Sequence, residues 1–384
     1  MFDRPDILMI GSSGRNVGKT LLACEMIRRH AAIHPVTAVK ITTIHEEEWS
    51  CPHGADGCGV CGSFKGDYQL TEEHDGPPDK DTTRLLTAGA ARVFWLRVRH
   101  EHLAEGVGEL VRRLPVGQPV VIESNSARQV LAPGLFLVLR DGGAEVKASC
   151  RRVMGQADRT LIFDGGGWGV ATERITFSAG RWWMRQEAAG IVLAGGQSRR
   201  MGQDKNFLPV AGRPMIQHIV AQVAPWVDEV LIGADDSGKF AFLQCRVVPD
   251  REVGMGPLMG LCSCLAASKH ELNVVTACDI PMQDPHFLMR MIDAAQGNDI
   301  VMPLSQGGRP EPLLAVYRKS VGTVAEQVLS CGGRRMADLF TSVRVKYIGM
   351  DESGWYRNVN TMEDYRDAAL ALVSVPDKGM RVQA

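Results

Sequence analysis

Twice along this chain a short run, apolar at every position, leads directly into a glycine-rich turn and then into a helical pattern. These runs are Ile7-Leu-Met-Ile10 before Gly11 and Ile191-Val-Leu-Ala194 before Gly195. A strand without polar alternation leaves no face for water, so it belongs in a mostly parallel sheet covered by helices on both sides. Further strand-like runs occur at residues 36–41, 93–98, 120–122 and 135–139, and again at 230–233, 246–249, 273–278 and 300–302. The pattern breaks twice. Residues 42–80 form a long polar insertion rich in Gly, His, Cys and acidic residues, and loops of that length are usually functional or mobile. Residues 178–187 lack periodicity, and the strand-loop-helix pattern restarts at Ala189, which places a domain boundary there. A chain of 384 residues also exceeds the size at which one core keeps growing. The expectation is two three-layer α/β domains, residues 1–178 and 186–384.

Composition narrows the partners. A formal net charge of -1 with 23% charged residues supplies no basic field for nucleic acid, so anionic ligands must be held locally. Asp3 and Asp6 stand where an export signal needs basic residues and an apolar stretch, and no run of about 18 apolar residues occurs. The reading is a cytoplasmic protein with no membrane segment. Most of the ten cysteines, such as Cys24 and Cys278, sit in apolar stretches and read as buried thiols.

The most informative segment is Ile191-Val-Leu-Ala-Gly-Gly-Gln-Ser-Arg-Arg-Met-Gly-Gln-Asp-Lys205. Gly195 and Gly196 let the backbone approach a ligand and turn its N–H groups toward phosphate oxygens. Arg199, Arg200 and Lys205 add cations, each charge-assisted hydrogen bond contributing roughly 1.5–3 kcal/mol. Asp279 follows the apolar Val274-Val-Thr-Ala277 and should sit at the carboxyl end of a strand, where α/β sheets bind ligands. A hard carboxylate there suits magnesium, and the alternative is an Asp capping the turn before Pro281.

The string LAGG-x-S-x-R-M-G-x-D-K resembles the opening motif of the molybdenum cofactor guanylyltransferases (MobA type). The resemblance continues, in order, through Pro249-Asp250, Gly256-Pro257, Cys278-Asp-Ile-Pro281, Glu311-Pro-Leu-Leu-Ala-Val-Tyr-Arg318 and Asn358-Val-Asn-Thr361, about half of the chain. It implies a Rossmann-like nucleotidyltransferase fold and GTP contacts from Leu193, Ala194, Gly195, Gly196, Lys205, Asp250 and Asp279. It further implies magnesium on Asp279, with Arg200 and Lys205 sharing the phosphate charge. Asn358 and Asn360 would hold the pterin side, or else stabilise a loop before a helix capped by Thr361. Where the family has an Asn after the second strand, this chain has Asp235, which cannot donate as an amide does. The implied reaction is attack by the molybdopterin phosphate on the α-phosphorus of GTP, expelling pyrophosphate. The LAGG form, rather than LAAG, points to GTP over CTP. Rival readings are a nucleotidyltransferase using CTP or another phosphate acceptor, and a GTP-binding adapter whose second half has lost catalysis.

In the first half, Met9-Ile-Gly-Ser-Ser-Gly-Arg-Asn-Val-Gly-Lys-Thr20 has the layout of a phosphate-binding loop, with Ser13 in place of its first glycine. Gly14, Asn16, Val17, Gly18, Lys19 and Thr20 are its nucleotide-binding residues, Lys19 reaching the phosphates and Thr20 ligating magnesium. With Lys80-Asp-Thr-Thr-Arg84, Ala88-Gly-Ala90 and Val120-Val-Ile-Glu123, this half resembles the GTP-binding adapter of the same pathway (MobB type), a P-loop NTPase-like domain. Ser124 replaces the glycine that follows the glutamate there. The resemblance implies partners that handle molybdopterin or mature molybdoenzymes. Within the insertion, Cys51, His53, Cys58 and Cys61 gather four soft or borderline ligands, half-site spacing for zinc or an iron–sulfur cluster. Reduced thiols on a loop are the alternative.

Overall fold

The computed structural model describes residues 1–14, 16–44, 64, 66–143, 145–195, 203–210, 212–236, 238–305, 307–350 and 355–374. It divides into two compact units, Met1–Met184 and Arg185–Ala384.

The first unit runs β1 (Phe2–Ser12), α1 (Lys19–Ala31), β2 (Thr37–Ile44), β3 (Tyr68–Glu73), α2 (Asp81–Thr87) and β4 (Arg92–Arg99). It continues through α3 (Leu103–Arg113), β5 (Val120–Glu123), β6 (Leu131–Asp141), α4 (Ala148–Arg151), β7 (Arg159–Phe163), β8 (Ile175–Ser178) and β9 (Arg181–Met184). Seven strands pair in the order β3-β4-β2-β5-β1-β6-β7, all parallel except β3 against β4. The apolar runs read from the sequence fill the central positions. One face packs Leu8, Ile10 and Val121 against α1, and the other packs Ile7, Met9 and Ile122 against α3. This two-sided burial is why those strands carry no polar alternation.

Two features depart from the sequence expectation. Strand β3 forms inside the insertion, where Tyr68-Gln-Leu-Thr-Glu-Glu73 is too polar to announce itself. As an antiparallel edge strand it is only half-buried, and its carboxylates are met by cations, Glu72 by Arg92 and Glu73 by Lys80. Residues 178–187 are not a linker throughout, because β8 and β9 make a hairpin across them. Trp182 is fully buried there, its ring 4.7 Å from that of His30 on α1 and its indole N–H donating to the Asp6 carbonyl at 3.1 Å. Two adjacent buried tryptophans fit no simple period, and the division between units falls after Met184.

The second unit runs β10 (Ala188–Leu193), β11 (Pro209–Val210), β12 (Arg213–Pro214), α5 (Met215–Val223), β13 (Glu229–Ala234), β14 (Arg246–Pro249) and α6 (Pro257–Ala267). It continues through β15 (Leu272–Ala277), α7 (Pro285–Asp293), β16 (Ile300–Leu304), β17 (Leu314–Arg318), α8 (Val321–Ser330), β18 (Val345–Gly349) and α9 (Met362–Ser374). Its sheet has the order β14-β13-β10-β15-β17-β16-β18, and only β17 runs against its neighbours. Gly233 on β13 allows the sheet and α6 to close together. A Cβ there would stand 2.9 Å from both Cys264 Sγ and Leu193 Cδ2. Among the described residues no helix is long and apolar enough to cross a membrane.

Candidate functional site

In the second unit four parallel strands, β14, β13, β10 and β15, deliver their carboxyl ends to one edge of the sheet. Backbone bonds stitch those ends together: Ala194 N–H to Gly233 O at 2.8 Å, Cys278 N–H to Leu193 O at 3.3 Å, and Asp250 N–H to Ala234 O at 3.3 Å. The chain therefore presents Leu193-Ala194-Gly195, Asp235, Asp250 and Asp279 side by side, where an open α/β sheet binds its ligand.

Lys205 and Asp279 converge, their Nζ and Oδ2 atoms 3.3 Å apart and both side chains 20% exposed. Lys205 is held there by the short helical turn Lys205–Phe207, which Asp204 caps by accepting from the Asn206 N–H. Asn206 is buried and ties the turn to β10 by donating to the Ala194 carbonyl at 3.1 Å. Burial works against ionisation of Asp204, but Lys239 and the Asn206 donors outweigh it and hold its pKa below the usual carboxylate range. Burial pushes the Cys278 thiol up to about 12, so the cysteine beside Asp279 stays protonated and packs as a small apolar group.

The Asn-Val-Asn segment docks on the same place, because Val359 N–H donates to the Asp279 carbonyl at 2.7 Å. Asn358 and Asn360 flank it, both exposed. Thr361 accepts from Asp364 N–H at 3.1 Å, and the Asp364 carboxylate accepts from the backbone of Asn360 and Thr361, so this end of α9 is capped as the threonine suggested. Tyr356 was not legible as a site residue. Its hydroxyl is buried beside Glu311 and Asn358, and burial together with Glu311 pushes its pKa well up. Arg200 and Gly196 lie outside the described residues.

In the first unit β1 ends at Ser12, and α1 begins at Lys19 after Gly18, whose φ of 72° is left-handed. A Cβ on Gly18 would also meet the Phe163 ring at 2.8 Å. Thr20, in the first turn of α1, donates toward Glu123 at 3.1 Å and Asp81 at 3.2 Å. Glu123 sits at the end of β5, level with Ile10 and Lys40 on the flanking strands, with its Oε1 buried and unpartnered among the described residues. Burial pushes its carboxyl up despite Lys19 and Lys40 nearby. For Asp81 burial also favours the neutral form, yet the ion pair with Lys40 and the Thr20 hydroxyl prevail and its pKa falls. Gly14, Asn16 and Val17 lie on the turn between, with Val17 buried and Asn16 at a φ of 56°. Asn125 braces the turn by bonding both backbone groups of Ser12 at 2.8 and 3.0 Å, a role no motif announced. Cys51, His53, Cys58 and Cys61 lie outside the described residues.

Comparison with known proteins places the second unit. The MobA-like NTP transferase domain matches residues 190–344. A probable molybdenum cofactor guanylyltransferase of Carboxydothermus hydrogenoformans is 34% identical over 187 residues, spanning 47% of this chain and 94% of its own. The molybdenum cofactor guanylyltransferase of Shewanella amazonensis is 31% identical over 189 residues, 47% of this chain and 95% of its own. A solved structure of the molybdopterin-guanine dinucleotide biosynthesis protein A from Archaeoglobus fulgidus is 23% identical, with a TM-score of 0.43, covering 49% of this chain and 100% of that one. Through its second unit, which is a nucleotidyltransferase, the chain belongs to the molybdenum cofactor guanylyltransferase family.

Proposed function

We propose that the second unit transfers GMP from GTP to the terminal phosphate of molybdopterin, releasing pyrophosphate. The observation that carries this reading is the convergence of Lys205 and Asp279, 3.3 Å apart, beside the glycine turn that ends β10. The turn's backbone offers N–H groups to the phosphates, and Lys205 neutralises their charge. The acceptor phosphate oxygen attacks the α-phosphorus, the bond to the β-phosphate oxygen breaks, and pyrophosphate leaves with that electron pair. No covalent enzyme intermediate is needed, so positioning and charge neutralisation carry the rate. The partly buried oxygen ligand Asp279, at a strand end next to a lysine, fits magnesium, which when bound would offset phosphate charge. Asn358 and Asn360 would hold the acceptor, a reading supported by the bond from Val359 between them to the Asp279 carbonyl. Mass spectrometry of the product formed from GTP or CTP with molybdopterin tests the assignment. The guanine dinucleotide is expected, and a cytosine product or none overturns it.

For the first unit we infer a fused GTP-binding adapter. Support comes from the strand-turn-helix of Ser12 to Thr20 and from the Thr20 hydroxyl lying between two carboxylates. The orphaned Glu123 Oε1 and the Thr20 oxygen fit a hard divalent ion accompanying a nucleotide. Molybdopterin-handling or molybdoenzyme-maturation proteins are its proposed partners.

A further inference from the structure

The carboxylates of Asp235 and Asp250 lie together at the ends of β13 and β14, away from the Lys205–Asp279 pair. In the sheet order β14-β13-β10-β15, a triphosphate bound as proposed at the ends of β10 and β15 would have the ends of β13 and β14 free for its nucleoside. Ala234 pairs with Pro249 in the ladder between β13 and β14, so Asp235 and Asp250, the next residue on each strand, are neighbours, and two carboxyls so placed can bond to each other only if one carries a proton. No cation among the described residues offsets them. Arg251, next along the chain, is engaged by Glu326, and Lys239 in the following turn is engaged by Asp204. Asp236 is turned to the backbone N–H of Gly238. From α6 the facing titratable group is Cys264, a buried thiol pushed up to about 12 and therefore neutral. Asp250 Oδ1 is buried, without a hydrogen-bond partner among the described residues, and packs against the start of α6 at 3.3 Å from where a Gly260 Cβ would lie.

We infer that Asp235 and Asp250 hold one proton between them, and that this proton is the hydrogen-bond donor the second unit offers to the nucleoside end of its triphosphate. The inference rests on the nucleotidyltransferase reading given above. With one proton the pair presents a donor, an acceptor and a single negative charge. Without it the pair presents only acceptors and two charges beside a polyanion, so both hydrogen bonding and repulsion turn against binding. Burial first, and then the Asp235 carboxyl, raise Asp250 to about 6, so the proton is lost within the neutral range. Triphosphate affinity should then fall as the pH rises from 6 to 8. An amide at position 235 keeps a donor at every pH and removes one charge.

The test uses the full chain carrying Lys19→Ala, so that only the second unit's site is counted. GTP affinity is measured from pH 5.5 to 8 with and without Asp235→Asn, and the ratio of the two cancels titration of the terminal phosphate of GTP itself. The expected result is that Asp235→Asn binds about tenfold or more tighter than its parent at pH 8 and no tighter at pH 5.5. A ratio independent of pH overturns the proposal. Carbon-13 carboxyl titration of the chain without nucleotide gives a second readout that needs neither binding nor the variant. A carboxyl titrating near 6 is expected, and its absence overturns the shared proton. Failure to bind GTP at any pH, with that titration present, overturns the transferase reading and leaves the proton in place.

Discussion

Asp279 stands where three segments meet. It follows β15, faces Lys205 from the turn after β10, and accepts through its carbonyl from Val359. Its side chain is the hard oxygen ligand of the proposed centre. Asp279→Asn is expected to lower guanylyl transfer roughly a thousandfold, about 4 kcal/mol at the transition state, with folding unaltered. Pyrophosphate release under saturating GTP measures it, and near-normal turnover would sink the assignment. His30 makes a second residue-scale prediction. It is buried against Trp182, with Nδ1 2.9 Å from the Met26 carbonyl, and burial lowers its pKa from 6.5. Below 6.5 the unfolded imidazole binds a proton that the folded one resists. This contribution to stability is therefore complete above that pH and is lost as the pH falls. The urea midpoint of the first unit should drop between pH 7 and 5, and His30→Met should flatten the slope.

At the scale of elements, both sites are built by turns whose backbone leaves the ordinary regions or is pinned by side chains. Gly18 combines a left-handed φ with the Phe163 ring at van der Waals contact, so Gly18→Ala meets backbone strain and a clash together. A loss of about 1–3 kcal/mol in first-unit stability is expected, with weakened nucleotide binding, because the start of α1 shifts. Denaturant unfolding monitored by tryptophan fluorescence reads the first, and nucleotide titration the second. In the second unit the turn Lys205–Phe207 is fixed by Asp204 and Asn206 rather than by glycine. This turn fixes where Lys205 points.

Over the whole molecule the two sheets repeat one plan, with strand ends along one edge and a turn feeding a following segment, but with different chemistry. The first unit gathers Lys19, Lys40, Thr20, Asp81 and Glu123, and the second gathers Lys205 and Asp279 with Asp235 and Asp250 beyond them. Two nucleotide sites per chain are therefore expected. Equilibrium dialysis should give two bound GTP, falling to one in Lys19→Ala, while guanylyl transfer by that variant stays within about twofold of the parent. A large loss of transfer would mean that the units act together.

Strand positions were legible because a strand buried on both faces must be apolar throughout, and residues 7–10 and 191–193 obey that rule without help from distant contacts. The glycine before α1 was legible for a similarly local reason, since Gly18 takes a left-handed φ that favours glycine. What the sequence did not determine were partnerships across the sheet. Thr20 with Asp81 and Glu123, Lys40 with Asp81, Asn125 under Ser12, and Asp235 against Asp250 join residues that share no spacing rule. The hairpin of Ile175–Ser178 and Arg181–Met184 belongs with them, because its tryptophans find their place only once α1 offers a surface. Periodicity is a local consequence of burial, whereas charge pairing and proton sharing depend on distances that exist only after the strands have taken their order.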